Sequence, residues 1–391
     1  MSKFSWVQKL NISIDKWLTY PEKNAAGRLG LFRIIFAIFY LWFMSFHSAI
    51  KLSYVPISLS RTEFLFTFDN FLKFLPSQTW VVLETIVVAL LILLFIGYRV
   101  RIVTLLLLIF GTVLESFYYK LANEDSTVML VFYIPLFMFL SNRWGDTYSL
   151  DSLLKKRSGH IPINPSDSSP PYSVPIRSLL VILCLLWFFT GMWKAIGGAW
   201  FGYPQLMSNH ILIRSIESSL FNLPLNPVLF WVANHPLVAY GLQVFIVIFE
   251  VLFILALIHP RLRYLFLSLA LIFHAMNALY FVITFTNIII IYLLFFDWQE
   301  LRERLFPSPI NLFTGIPVLW LKGITLGLAV LLSILWNANN GIRNLINFRE
   351  WLNWHGIFYF VLPLAIIWFF INVSKIIHSL TIMTKTKVKK R

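Results

Sequence analysis

The stretch SLLVILCLLWFFTGMWK, residues Ser178 to Lys194, decides the fold. It carries no charge until its last residue, and it meets the lower limit of roughly 17 residues that a helix needs to cross a hydrocarbon core. Its end is as informative as its length. Lys194 follows Trp193 and precedes Trp200, with Ala195-Ile196-Gly197-Gly198-Ala199 between. An amine at a membrane edge between two tryptophans loses solvation in its charged form, and a neutral lysine is a base. The other reading is a lysine whose ammonium snorkels to the headgroups.

The rest of the chain has the same character. Of 391 residues, 59% are hydrophobic and 13% charged, with a mean hydropathy of +0.76. A soluble domain carries about 25% charged residues. The reading is an all-α, polytopic integral membrane helix bundle whose partner is the lipid bilayer. The net charge of +15 does not call for nucleic acid, because basic residues collect in the cytoplasmic loops of membrane proteins. The single cysteine, Cys184, allows neither an intramolecular disulfide nor a cysteine-based metal site. A long polar segment without a small-residue cleavage site precedes the first apolar run, so no removable signal peptide is expected.

About ten transmembrane helices are predicted, near 29–50, 79–98, 102–119, 126–141, 178–194, 236–258, 264–281, 282–296, 316–336 and 355–373. The fourth and eighth are short, and the seventh and eighth abut. With both termini cytoplasmic, 22 of the 32 Lys and Arg fall on inside segments and 7 outside, as the positive-inside rule requires. The segment 1–28 has Phe4, Val7, Leu10, Ile14, Trp17 and Leu18 at helical spacing, which suits a membrane surface. Ser158 to Val174, rich in Pro and Ser, reads as a loop. The outer stretch from Ala195 to His235 is long enough to be functional, either re-entrant or lying along the outer face. Residues 379–391 form a basic tail, a topology signal or a site for anionic lipid.

With this topology the ionisable residues acquire depths. Glu84, Glu115, Glu124, Asp125, Lys194, His274, Asn277 and His47 fall in the outer half, Glu250 near a midplane and Arg33 near the inside. Charges in a bilayer pair or line a cavity, so their convergence predicts a polar cavity opening outward. Glu84 and Glu115 could instead snorkel, and His274 could be a satisfied core histidine. Glu250 needs a partner or a proton. The eight histidines show no metal-ligand spacing, and no GxSxG, P-loop or dinucleotide fingerprint occurs. Any chemistry must use Lys, His and carboxylates as acids and bases.

Certain residues carry a family resemblance. These are Leu29-Gly30-Leu31-Phe32-Arg33, Tyr98-Arg99, Asn142-Arg143, Tyr148-Ser149-Leu150-Asp151, Gly191-x-x-Lys194 with Trp200, and Phe273-His274-Ala275-Met276-Asn277 with Phe281 and Phe285. Over roughly Ala25 to Trp298 the chain resembles the integral membrane part of the vitamin K-dependent gamma-carboxylases, the horizontally transferred transmembrane domain family. The resemblance implies a gamma-carboxylase-like domain over 29–298, and outside it the apolar runs predict two further helices over 299–378. It implies that Lys194 is the base that deprotonates vitamin K or menaquinone hydroquinone, and that the oxyanion takes up O₂. Epoxide formation then yields a base strong enough to remove a γ-proton from a peptide glutamate, to which CO₂ adds. It further implies that His274 stands near the cavity and Glu250 at an acidic family position. Two features depart from the family. Glu124-Asp125 stand where the carboxylase has Asn and His, and one extra residue precedes Trp200. The large propeptide-binding domain is also absent.

Three functions are compatible with these residues. One is a quinol-dependent enzyme with Lys194 and His274 as catalytic residues and Asn277, Glu250, Trp200, Glu124, Asp125, Glu115 and Glu84 as cavity candidates. Another is a non-catalytic factor for maturation or export of a secreted peptide. The third is a transporter, for which neither an inverted repeat nor paired broken helices is present. The expected location is a bacterial inner membrane.

Overall fold

The computed structural model describes residues 4–46, 76–122, 129–220, 227–281, 286–305, 317–337 and 356–388, and every regular element among them is helical. The first half holds α1 (Phe4–Leu18), α2 (Ala25–Phe46), α3 (Ser77–Ile96), α4 (Val100–Ala122), α5 (Ile134–Ser141) and α6 (Leu150–Arg157). Then come α7 (Pro170–Ile196), α8 (Ala199–Gly202), α9 (Leu206–Leu220), α10 (Pro227–Ala233) and α11 (Pro236–Leu252). The last are α12 (Pro260–Phe281), α13 (Thr286–Leu293), α14 (Trp298–Leu305), α15 (Val318–Asn337) and α16 (Gly356–Val388).

Among the described residues, seven helices are long and apolar enough to cross a membrane: α2, α3, α7, α11 with its 3₁₀ extension Phe253–Leu257, α12, α15 and α16. The chain is a polytopic helical membrane protein. The third expected span coincides with α4. The fourth is a π-turn, Met129–Tyr133, leading into the eight-residue α5, and the eighth coincides with the eight-residue α13. None of these three is among the seven. Large apolar side chains such as Leu319, Trp320, Tyr359, Phe360 and Leu364 stay exposed on α15 and α16. A hydrocarbon solvent accepts such a surface, and a helix satisfies its own backbone there.

The fifth span begins earlier than expected. Pro170 opens α7 inside the stretch read as a loop, and Pro175 lies within the helix. Proline is tolerated in a first helical turn, where its missing N–H has no intrahelical acceptor to lose. The Pro-rich composition therefore marks the helix start as well as the loop before it.

The chain forms two compact units, Met1–Leu179 with Ile290–Arg349 and Leu180–Ile289 with Glu350–Arg391. In the first, α2, α3 and α4 pack in sequence and α15 packs on α3. Backbone carbonyls hold the two terminal nitrogens of the intramembrane Arg33, while its buried Nε has no partner among the described residues. Its guanidinium donates to Leu94 O, to Phe95 O at 3.1 Å and to Tyr148 O at 2.6 Å. Two of these are among the orphan carbonyls of the α3 C-terminus. Gly97 ends α3 at φ +77°, and a Cβ there would lie 2.4 Å from the Arg33 side chain. The Asp151 carboxylate accepts from Arg99 N and Val100 N at 2.8 and 3.0 Å, which caps the start of α4.

At the α2 entrance, buried Glu22 pairs with Arg177 at 2.9 Å and Arg28 at 3.7 Å. Arg177 also donates to Trp17 O, and its guanidinium lies over the rings of Trp17 and Tyr20. This fixes the end of α1, whose Trp6, Val7, Leu10 and Ile14 remain exposed beside Lys9 and Lys16. Such a face suits a membrane surface.

Lys23 bonds Glu300 at 2.6 Å and lies 3.3 Å from Asp297. The hydrogen bond to Glu300 raises the Lys23 ammonium above the usual lysine range and holds Glu300 below the usual carboxylate range. The Lys23 contribution is complete below the ordinary lysine range and is lost as pH rises through its raised value. The Glu300 contribution is present above the ordinary carboxylate range and is lost as pH falls through its depressed value. Both side chains are exposed, so the effect is small and screened by salt. Thermal midpoints of Lys23→Met and wild type should differ slightly near neutrality and converge at both pH extremes and in high salt.

In the second unit, α12 packs along α16, and Asn372 Nδ2 donates to Tyr264 O at 3.2 Å. The stretch after Lys194 that was expected on the outer side contains α8, α9 and α10. It folds back on α11 through an apolar cluster of Met207, Ile211, Leu229, Val232, Ala233 and Ala239, with Trp200 and Ile246 against it.

Candidate functional site

A cavity of about 330 Å³ lies within the second unit, at the lower end of the range for small-molecule sites. One wall is a stripe of α7. Leu183, Trp187, Thr190 and Lys194 recur at intervals of four, three and four, with Leu186 beside them, and share a helix face. Helix α11 contributes Ile246 and Glu250, one turn apart. Helix α12 contributes Phe273, His274 and Asn277. Trp200, Met207 and His210 come from α8 and α9, and Ile288 from α13.

Close approach of α7 and α11 rests on Gly191. A Cβ at this position would lie 2.7 Å from Glu250 Cβ and 2.7 Å from Val251 N. One turn later, Lys194 Nζ donates to Glu250 Oε1. The amine also stands 4.7 Å from the centroid of the Trp200 ring, within cation–π range. Glu250 is almost wholly buried, whereas the Lys194 side chain is 21% exposed. Glu250 Oε2 is buried and has no hydrogen-bond partner among the described residues. The carboxylate thus holds the lysine with one oxygen and buries the other.

Aromatic rings enclose the far end. Trp187 stacks on Phe253 at 5.1 Å and 16° and meets Phe249 and Phe273 edge-on. The His274 ring lies 5.1 Å from Trp187 and is 3% exposed. Asn277 follows His274 by three residues and shares its face. The lining thus combines aromatic rings with four polar groups, an amine, a carboxylate, an imidazole and a carboxamide.

Of the residues singled out from sequence, Lys194, Glu250, His274, Asn277 and Trp200 come together here, and Glu250 is paired. Glu84 and Glu115 belong to the first unit and do not line this cavity. Both are buried, and Glu84 accepts from Trp336 Nε1 at 3.0 Å. Glu124, Asp125, His47 and Phe285 lie outside the described residues. Sequence reading missed Gln243 and Trp187. Gln243 precedes Glu250 by seven residues, two turns along the same face, and that spacing of polar residues in an apolar run was the available signal. Compared with protein-family models, curated proteins and solved structures, the chain matches none.

Proposed function

We propose that this chain is a membrane enzyme of the gamma-carboxylase-like type, in which Lys194 deprotonates a reduced quinone bound in the cavity. The observation that carries the reading is the Lys194–Glu250 pair set in an aromatic-walled cavity. As an ammonium Lys194 could not take a proton, so the reading requires that the pair's own proton rest on Glu250 when the quinol is deprotonated, and the cation then formed on Lys194 lies against Glu250. Trp200 adds the negative face of its ring on another side. Trp187 and Phe273 suit the flat face of a quinone ring. His274 and Asn277 would orient the ring's oxygens. A bound hydroquinone, of vitamin K or menaquinone type, would supply the acidic hydroxyl and the electrons that reduce O₂, with CO₂ as a further co-substrate if carboxylation of a peptide or small acceptor follows.

The topology proposed with this reading has ten spans, both termini in the cytoplasm and the cavity toward the outer side of a bacterial inner membrane. The seven long apolar helices support its multi-pass character.

The test is oxidation of reduced menaquinone or vitamin K under O₂ by purified wild type and Lys194→Ala. Quinone epoxide from wild type is expected, with a loss of about 10²–10⁴-fold in the variant, the usual contribution of a positioned base. No epoxide from folded wild type across several quinols would overturn the reading. The chain would then be better taken as a non-catalytic factor for a secreted peptide.

A further inference from the structure

We propose that Gln243 is a positioning residue. It latches the corner between α8 and α9 over the cavity and thereby holds the Trp200 ring on the Lys194 amine. Gln243 is fully buried in α11. Its carboxamide oxygen accepts from Met207 N at 3.0 Å, and its nitrogen donates to Trp200 O and to Tyr203 O at 3.1 Å. A glutamine amide has two N–H donors and one carbonyl oxygen, and here all three groups are used on the eight-residue stretch from Trp200 to Met207.

The corner's own backbone bonds, from Tyr203 N to Ala199 O at 3.1 Å and from Leu206 N to Tyr203 O at 3.0 Å, shape it locally, and among the described residues Gln243 ties three of its backbone groups to α11. Helix α7 ends at Ile196, and Gly198 turns the chain at φ +73°, where an added Cβ would meet nothing within 4 Å. Gly202 is equally open. The Tyr240 hydroxyl reaches Phe201 O only at 3.4 Å and is exposed. Apolar contacts of Met207 and Ile211 are non-directional, so they bury the corner without fixing where the Trp200 ring points. Gln243 supplies the direction. Its bond to the Trp200 carbonyl fixes the backbone from which that ring reaches Lys194. Helix α11 therefore holds the reactive amine twice, through Glu250 directly and, two turns away, through Gln243 and Trp200.

The functional weight of the latch rests on Lys194 being the reactive amine, but its test needs no turnover. The full chain carrying Ser208→Cys is labelled with a thiol reagent and an amine reagent, and rates are read residue by residue by mass spectrometry. Ser208 is 6% exposed at the corner, and its hydroxyl has no partner among the described residues, so cysteine replaces it mildly. Native Cys184, buried in α7, reports global unfolding. With Gln243→Leu, the thiol at 208 and the Lys194 amine should react at least about tenfold faster while Cys184 stays protected. Trp200→Ala should speed Lys194 labelling alone, and combining it with Gln243→Leu should add nothing further at Lys194. If leucine also exposes Cys184, Gln243→Glu decides on the same readout. The carboxylate keeps the shape and the bond from Met207 N but has no donor for the Trp200 and Tyr203 carbonyls. Unchanged rates at position 208 and Lys194, with Cys184 protected, would overturn the proposal. Failure of the quinol reading would show as absent epoxide and leave these rates as they are.

Discussion

Gly191→Ala will loosen the site from a distance, lowering the thermal midpoint and abolishing most of any activity that depends on Lys194. The added methyl would lie 2.7 Å from both Glu250 Cβ and Val251 N, and 2.9 Å from Val251 Cγ2. One of these atoms is backbone, so no side-chain rotation relieves the clash. Helices α7 and α11 must part by roughly 1 Å to restore ordinary carbon contacts of about 3.5–4.0 Å. Overpacking of this kind costs about 1–3 kcal/mol. The loss of function should exceed what that figure suggests, because the displaced atoms carry the ion pair. Lys194 is one turn from Gly191, and parting the helices draws its amine away from Glu250 Oε1. A displacement of about 1 Å at a reacting group can cost about 10²-fold in rate. Gly241→Ala is the control. It lies in α11 too, but a Cβ there meets nothing within 4 Å, so alanine should be neutral or stabilising by up to about 1 kcal/mol through helix propensity. Equal effects of the two substitutions on the midpoint would defeat the argument.

What could be read from sequence is explained by what each signal measures. Run length and charge placement measure distance along a membrane normal; they located the seven long apolar helices and gave expected depths for Lys194, His274, Asn277 and Glu250. Depth says nothing about lateral position. Glu84 and Glu115 were expected at a depth like that of Lys194, yet they belong to the other unit and line no part of the cavity. The Lys194–Glu250 pair joins residues 56 apart in the chain, and no local pattern encodes such a contact. Several residues of the family resemblance turn out to be fasteners. Arg33 meets the α3 carbonyls and Tyr148 O, while Asp151 caps the turn at Arg99. Those motifs report how the first unit is tied together, whereas Gly191, Lys194 and the Phe273–Asn277 run report the cavity. Gln243 escaped notice because an amide disturbs an apolar run less than a charge does.

The ion pair itself should show an asymmetry that identifies which partner is buried. Removing one member of a buried pair typically costs about 3–5 kcal/mol because the other is left uncompensated. Here the two members differ in their escape routes. The Glu250 side chain is 3% exposed and short, and its second oxygen already lacks a partner among the described residues. The Lys194 side chain is 21% exposed at the end of α7, on a long flexible stem. In Glu250→Leu the lysine can swing toward headgroups or water and keep its solvation. In Lys194→Met the carboxylate stays where it is, among Trp187, Phe273 and Ile246. Lys194→Met should therefore approach the full 3–5 kcal/mol, measured in detergent or bicelles, and Glu250→Leu should cost clearly less. The double variant, with two apolar side chains of similar volume, should recover much of the Lys194→Met loss, giving a coupling energy of a few kcal/mol. None of the three should turn over quinol if Lys194 with its carboxylate is the base. The stability order separates this site from a snorkelling lysine, for which Lys194→Met would be nearly silent and the cycle would close with no coupling.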